Sequence, residues 1–342
     1  MFSVSSIFTN QYSSKMNKEL ISIIIPVYNV ERFLVQCLRS CVEQTYTNIE
    51  IICINDCSID NSRLIIDDFL SDNRVTCIDN DQNRGVFFSK DLGAKNAKGT
   101  YIFFLDGDDY LEKDAIEKLF SVSDNSDIVA ANMQLVDEQY QLLDRFLTWD
   151  KYGELNAEVF LNQVIRLNRW SQCCMLIKKE VYDKILHFPL EVKIREDALV
   201  LLQLCNYASK VMLVNQFIYN YVQRKSSALN HVKTADQRAK EDYDFAINAY
   251  SILNCLNKIS VDNKSLIKLN LVKELSWILV SKEIKAKYGF EISKIIRQIL
   301  IDKSLLRFTF QNNGVKIFLF YLFTILVPKF WVIASNFNNK KK

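Results

Sequence analysis

Short apolar runs alternate with segments of helical periodicity along the first 122 residues. The runs are rich in β-branched and aromatic residues, and they predict strands at 20–27, 49–55, 75–79 and 101–105. Apolar residues recur at helical spacing after each run, which predicts helices at about 31–44, 61–71, 86–97 and 113–122. Strands that alternate with helices form βαβ units, so the pattern predicts an α/β fold built on a parallel sheet.

The pattern changes in the rest of the chain. Residues 125–185 are expected to form the rest of the sheet and one wall of a binding site. From about 234 the spacing is helical throughout, with few Gly or Pro residues until 314. We therefore predict a leader at 1–19, an α/β domain at 20–233 and a helical C-terminal region at 234–342.

The segment 315–333, "VKIFLFYLFTILVPKFWVI", is almost wholly apolar. It is borderline for a membrane span, and Pro328 would interrupt a helix there. Its flanking lysines and aromatic residues favour a helix that lies in an anionic cytoplasmic leaflet; the alternative is a buried docking helix. The first 19 residues lack the apolar region of a secretory signal. We therefore expect a cytoplasmic protein that contacts the inner membrane face peripherally.

Composition argues against a nucleic-acid-binding protein and against a structural zinc site. Forty-three Lys and Arg against 40 Asp and Glu give a net charge of +3, without the concentrated basic stripe of a nucleic-acid-binding protein. The nine cysteines are odd in number and mostly lie inside apolar runs, as reduced, buried thiols do. No pair of cysteine motifs has the spacing of a structural zinc site.

The loops that follow the predicted strands carry the candidate chemistry, because ligands of open α/β sheets bind at the carboxyl ends of the strands. No G-x-G-x-x-G or P-loop motif cradles a phosphate. Instead, three carboxylates follow an apolar strand in "YIFFLDGDDYL" at 101–111. Mg²⁺ and Mn²⁺ prefer one or two carboxylates together with substrate phosphates, so this turn predicts a metal-diphosphate site. The alternative is a solvated turn that caps the next helix.

Two stretches identify a family resemblance. "ISIIIPVYNVERFLVQCLRSCVEQTYTNIEIICINDCSIDNS" and "NRGVFFSKDLGAKNAKGTYIFFLDGDDYL" resemble the nucleotide-sugar-binding half of the family-2 inverting glycosyltransferases, which have the Rossmann-like GT-A fold. The resemblance is strongest over about 20–115 and weaker to about 230. It implies a nucleotide-sugar half at 20–115 and an acceptor half at 116–233.

The resemblance also implies an activity. The chain looks most like bacterial enzymes that extend lipooligosaccharide or capsule chains, including β-1,3-galactosyltransferases. Such an enzyme moves a hexose or N-acetylhexosamine from a UDP-sugar to an oligosaccharide or glycolipid acceptor, with Mn²⁺ or Mg²⁺ on the diphosphate. The alternative is a non-catalytic nucleotide-sugar-binding relative or a nucleotidyltransferase-like protein.

Residue by residue, the resemblance implies a donor site and a metal site. Tyr28 would lie against the base and Asp56 would accept the uracil imide N–H, which favours UDP because cytosine has no equivalent donor. Asp108 would ligate the metal together with Asp106, and Arg224 would neutralise the departing diphosphate. The implied donor-binding residues are Pro26, Tyr28, Asn29, Asp56, Asn83, Lys90, Asp106, Gly107, Arg224 and Ser227. Packing for Tyr28, a helix cap for Asp56 and a third metal ligand at His231 remain alternatives.

The chain departs from the family pattern in two loops. In "NRGVFFSKDLG", Phe87, Lys90 and Asp91 replace the usual Ser, Arg and Asn, and Lys lacks the planar donor fork of Arg. In "NDCS", Cys57 stands where the family usually has Gly.

The second half supplies a candidate base. "IREDALVLL" places Glu196 and Asp197 at the start of an apolar-periodic helix and resembles the family motif in which the Asp is the base. The resemblance implies that Asp197 takes the acceptor proton, with Glu196 as a neighbour or acceptor contact. The alternative is an acidic first turn that complements the helix dipole. Trp170 is a candidate sugar-stacking platform or a core residue.

Overall fold

The computed structural model describes residues 19–185, 195–224, 234–278 and 282–300, together with 302 and 305. The predicted leader, apart from its last residue, and the segment 315–333 lie outside these ranges, as do Ser227 and His231.

Within the described residues, ten strands form a mixed sheet. They are β1 (Ile21–Val27), β2 (Ile49–Asn55), β3 (Val75–Asp79), β4 (Tyr101–Phe104), β5 (Tyr110–Leu111), β6 (Ile128–Val136), β7 (Leu142–Phe146), β8 (Gly153–Asn156), β9 (Met175–Lys178) and β10 (Lys210–Val222). Their order is β3-β2-β1-β4-β9-β6-β10-β5, with β7 paired to β6 and β8 to β10. The first four strands are parallel to one another, as predicted.

Helices connect the strands and follow the sheet. They are α1 (Glu31–Val42), α2 (Ser62–Phe69), α3 (Val86–Asn96), α4 (Ala115–Ser121), α5 (Ala157–Leu167), α6 (Lys179–Tyr182), α7 (Glu196–Tyr207), α8 (Ala235–Cys255), α9 (Val261–Ile278) and α10 (Lys282–Leu300). The bounds of α1–α4 confirm the first four predicted helices to within two residues at each end. The helices α8–α10 confirm the helical pattern predicted after 234, within the residues described there.

The apolar pattern explains why the sheet is central. The side chains of β1 are buried along almost its whole length, as expected of a parallel strand covered on both faces. Phe33, Leu34 and Leu38 lie on the buried side of α1. On α3, Gly93 lies so near β1 that a Cβ atom would stand 2.3 Å from Ile24 Cγ2, so only glycine permits this approach. This packing fixes the strand ends that carry the candidate site.

The described chain divides into two units by its internal contacts. The first contains 19–185 and 200–224, and the second contains 195–199 and the described residues from 234 onward. Every strand of the sheet lies in the first unit. Within the described ranges, no helix combines the length and apolar character that crossing a membrane requires.

Candidate active site

Loops after β1 and β2 hold each other in place at the carboxyl edge of the sheet. The Asn29 N–H donates to Ser58 Oγ at 3.2 Å, and Asn29 Oδ1 accepts from the Ile59 N–H at 2.9 Å. The Glu31 N–H donates to Asp60 at 3.0 Å. Burial alone would raise the pKa of Asp60, but hydrogen bonds from Ser62 and from backbone amides outweigh it and lower the pKa. The two loops therefore form one hydrogen-bonded wall, although their sequences are about 30 residues apart.

The carboxylate of Asp56 anchors the loop after β3. Its Oδ1 accepts from Asn80 Nδ2 at 2.7 Å and from the Arg84 N–H at 2.9 Å, and its Oδ2 accepts from the Gly85 N–H at 2.8 Å. The side chain is almost fully buried. A carboxylate offers about four acceptor positions, so one remains for a further donor. The role of Asp56 as loop anchor was not foreseen; its contact with a base stays a prediction.

Asp106 pairs with Lys90 at the end of β4. Lys90 Nζ lies 3.1 Å from Asp106 Oδ1, with a Lys90 side chain that is only 4% exposed. The contact lacks hydrogen-bond geometry, and Oδ1 accepts no hydrogen bond from the part of the chain that the structure describes. Cys173 Sγ lies 3.6 Å from Asp106 Oδ2. The structure thus brings together two residues that the sequence predicted for the donor site.

Asp108 forms an ion pair with Arg224, which follows β10. Both side chains are mostly buried, at 16% and 17% exposure. Burial raises the pKa of Asp108, the positive charge of Arg224 opposes that rise, and the neighbouring charge of Asp106 adds to it. The Arg224 guanidinium also lies over the Phe33 ring, with Cζ 5.6 Å from its centroid. The structure therefore joins the predicted metal ligand and the predicted diphosphate-binding residue directly.

Asp109 is the most buried acid of the turn, at 1% exposure. Tyr219 Oη donates to Asp109 Oδ2 at 2.6 Å, and the Val222 N–H donates to Oδ1 at 2.8 Å. Burial raises the pKa of Asp109 well above its usual range, and the charges of Asp108 and Asp106 add to the rise. Tyr219 is not among the predicted site residues. Its strand, "KVMLVNQFIYNYV", is buried at three consecutive positions around Tyr219, so no alternation of apolar and polar residues singles this side chain out.

The turn between the acids runs against β1. A Cβ atom on Gly107 would stand 3.0 Å from the Pro26 carbonyl oxygen and 3.2 Å from Val30 Cγ2. A larger residue at 107 would push the acidic turn away from the strand end. Gly107 and Pro26 thus affect the position of the acidic turn through the close approach of their backbones.

Asp106 and Asp108 suit a divalent cation that takes further ligands from a diphosphate. Among the described residues, no group of three or more His, Cys, Asp or Glu side chains is placed to hold a metal ion. Mg²⁺ and Mn²⁺ need only one or two carboxylates when phosphates and water complete the shell. The buried Asp106 Oδ1 without a hydrogen bond is consistent with such a ligand.

The other predicted donor residues lie on the loops around this edge. Tyr28 is 46% exposed, and Asn83 is exposed in the loop that Asp56 anchors. Cys57 has φ +60°, the left-handed region that favours glycine, and its thiol is exposed. The expectation that the cysteines are mostly buried holds, with Cys57 and Cys255 as the exposed exceptions.

Glu196 and Asp197 begin α7, as predicted, and belong to the second unit. Glu196 is buried and Asp197 is partly exposed. Just before them, Arg195 forms an ion pair with Asp242 of α8 at 3.4 Å. Their roles as base and neighbour stay predictions. Trp170 is partly exposed and donates through Nε1 to Asn168 Oδ1 at 3.1 Å, so it is no core residue.

Comparison with known proteins places the chain in a family. The model for "Glycosyl transferase family 2" matches residues 22–186. Glycosyltransferase GlyG of Streptococcus pneumoniae serotype 4 (strain ATCC BAA-334 / TIGR4) is 31% identical over 222 residues, which cover 62% of this chain and 73% of GlyG. The glycosyltransferase EpsJ of Bacillus subtilis (strain 168) is 28% identical over 294 residues, 82% of this chain and 83% of EpsJ.

A solved structure confirms the GT-A fold. S. aureus TarS, residues 1–349, in complex with UDP-GlcNAc, superposes with a TM-score of 0.65 at 17% identity, over 82% of this chain and 80% of that one. The sheet order, the helical C-terminal region and the family model agree with the fold that the sequence predicted. The chain therefore belongs to glycosyltransferase family 2.

Proposed function

We propose that this glycosyltransferase moves a hexose or N-acetylhexosamine from a UDP-sugar to a glycan acceptor of a bacterial surface polysaccharide. The observation that carries the proposal is the cluster at the end of β4, where Asp106 lies beside Lys90 and Asp108 pairs with Arg224. Carboxylates paired with cationic side chains at one strand end suit a diphosphate that binds together with a metal cation. TarS, which shares the fold, was solved with UDP-GlcNAc.

The residues divide the work of an inverting displacement. The acceptor oxygen forms a bond to the anomeric carbon while the bond to UDP breaks and UDP leaves with the electron pair. Asp197 takes the acceptor proton, a contribution typically worth about 10²- to 10⁴-fold. Arg224 and Lys90 offset charge on the departing diphosphate, the kind of stabilisation that is usually the largest single effect.

Asp106 and Asp108 would hold Mn²⁺ or Mg²⁺. The bound ion would supply further positive charge at the diphosphate oxygens. The Asp56 loop and Tyr28 would receive the uracil base. For the acceptor side, the apolar, lysine-flanked segment 315–333 supports a peripheral position at the inner membrane face, where a lipid-linked acceptor is within reach.

The test is UDP release from UDP-Gal, UDP-GalNAc, UDP-Glc and UDP-GlcNAc, with Mn²⁺ or EDTA and a mixture of oligosaccharide and glycolipid acceptors. We expect acceptor-dependent release from at least one donor, abolished by EDTA. If no donor releases UDP although the chain binds UDP, the alternative of a non-catalytic binding protein replaces this proposal.

A matched pair of variants tests the base. Asp197 and Asp262 both lie in the first turn of a helix, so each complements a helix dipole. We expect Asp197→Asn to lower turnover by about 10²-fold or more and Asp262→Asn to leave it unchanged. Equal activity of the two variants would contradict the role of Asp197 and leave only its interaction with the helix dipole.

A further inference from the structure

Tyr219 lies on β10, beside β5, and its side chain contacts both ends of the acidic turn. Its side chain is fully buried, with its ring centroid 6.5 Å from that of Phe103. Its hydroxyl accepts the Asp106 N–H at 3.2 Å and donates to Asp109 Oδ2 at 2.6 Å. A single hydroxyl therefore links the backbone of one end of the turn to the side chain at its other end.

Asp109 extends this connection to the end of β10, two residues before Arg224. Its own N–H donates to the Asp106 carbonyl at 2.9 Å and closes the turn. Its Oδ1 accepts the Val222 N–H at 2.8 Å, two residues before Arg224. The turn that carries the two candidate metal ligands and the segment that carries Arg224 thus share one buried carboxylate.

We propose that Tyr219 and Asp109 are positioning residues for the metal-diphosphate site, an inference that rests on the proposed function. Asp106 begins the turn. A rotation of its backbone would therefore redirect the carboxylates of both Asp106 and Asp108. The hydroxyl of Tyr219 restrains that rotation, and Asp109 keeps Arg224 in register with the turn. Hydrogen bonds that orient metal ligands commonly change metal affinity by about 10- to 100-fold when they are lost.

A second buried tyrosine provides the control. Tyr101 begins β4, the strand that ends at the acidic turn, and its hydroxyl donates to the Ser126 carbonyl at 3.2 Å. Tyr101→Phe therefore removes a buried hydroxyl from the same sheet at the end of β4 remote from the acids. Both Tyr→Phe variants should lose thermal stability, since each abandons a buried polar group.

The measurement is Mn²⁺ binding by electron paramagnetic resonance on the full chain at saturating UDP. We expect Tyr219→Phe to weaken Mn²⁺ binding by about 10-fold or more and Tyr101→Phe to change it by less than about twofold. Asp109→Asn, which keeps an oxygen for the Val222 N–H, should weaken Mn²⁺ binding in the same direction. If Tyr219→Phe does not fold, the comparison of Asp109→Asn with Tyr101→Phe decides by the same criterion.

Two outcomes separate this inference from the function beneath it. If the wild type and Tyr219→Phe bind Mn²⁺ and UDP equally well, the positioning role is wrong and the proposed function is untouched. If the wild type binds neither Mn²⁺ nor UDP, the proposed function fails first, and with it this inference.

Discussion

Two carboxylates at the carboxyl edge of the sheet, Asp56 after β2 and Asp108 after β4, are stabilised in different ways. Asp56 receives an amide N–H and two backbone N–H groups from the loop after β3. Asp108 receives the guanidinium of Arg224. The backbone N–H groups can move away from Asp56 only if the loop rearranges. The Arg224 side chain can change its rotamer and free Asp108 for a metal cation. We therefore expect Asp56 to keep its partners and, under the proposed function, Asp108 to exchange Arg224 for a metal ion when the donor binds.

The largest effect is expected from Asp108→Asn. If Asp108 ligates a metal on the diphosphate, its loss should lower turnover by about a thousandfold, since charge on the leaving group is then poorly stabilised. The residual rate should no longer respond to Mn²⁺. UDP release measured across a Mn²⁺ titration checks this, and Asp183→Asn, an exposed acid paired with Lys179, is the control. A Mn²⁺-dependent rate near wild type would remove Asp108 from the site.

Arg224→Ala should move two quantities in opposite directions. Without the guanidinium, turnover should fall by about 100-fold. In the absence of UDP, however, Mn²⁺ should bind more tightly, by about tenfold or 1.4 kcal/mol, because Arg224 no longer competes for Asp108. Arg224→Lys keeps the charge but loses the planar fork, so it should lie between the two. Weaker Mn²⁺ binding in Arg224→Ala would contradict the exchange of partners.

Asp56→Asn should act on the donor and the loop rather than on the metal. The amide presents a donor to N–H groups that need an acceptor, so we expect a loss of about 1–3 kcal/mol in the free energy of unfolding. KM for the UDP-sugar should rise, while half-saturation by Mn²⁺ should stay that of the wild type. Thermal unfolding and donor titration measure both. A changed Mn²⁺ requirement would mean that the two carboxylates are not independent.

The smallest effect is expected from Cys57→Gly, next to Asp56. Relief of the left-handed conformation of Cys57 should outweigh the added flexibility of glycine, for a net gain of roughly 0.5–1 kcal/mol in the free energy of unfolding. Cys57→Ala removes the thiol but keeps the conformational cost, so it should show no gain. Equal stability of the two variants would show that the backbone at 57 is not strained.

The strands and helices around the nucleotide half were predictable because their signals are local. Apolar runs end at Asp, Asn and Gly residues, and the structure places strand and helix ends within two residues of those positions. Asp106 and Asp108 were predictable for the same reason, since they directly follow a buried strand. The local sequence pattern was sufficient to predict a site residue wherever the same segment forms the strand and carries the side chain at its end.

The partners of these acids were not predictable from pattern alone. Asp109 and Tyr219 are 110 residues apart, and the donors to Asp56 are up to 29 residues away. The short strand β5 forms by pairing with β10, and its two residues are too few to make an apolar run that predicts a strand. Such contacts depend on the register of distant strands, which no window along the chain contains. The motif resemblance placed Arg224 near the diphosphate, but its pairing with Asp108 required the sheet.

The position of β10 also limits how the protein can be dissected. The match to the family model ends at residue 186, whereas β10 begins at Lys210 and Arg224 follows it. A fragment cut at the end of that match would retain all the acids of the turn, yet it would lack the hydroxyl, the amide and the guanidinium that receive them. The smallest piece that can assemble this edge of the sheet must therefore extend at least to Arg224.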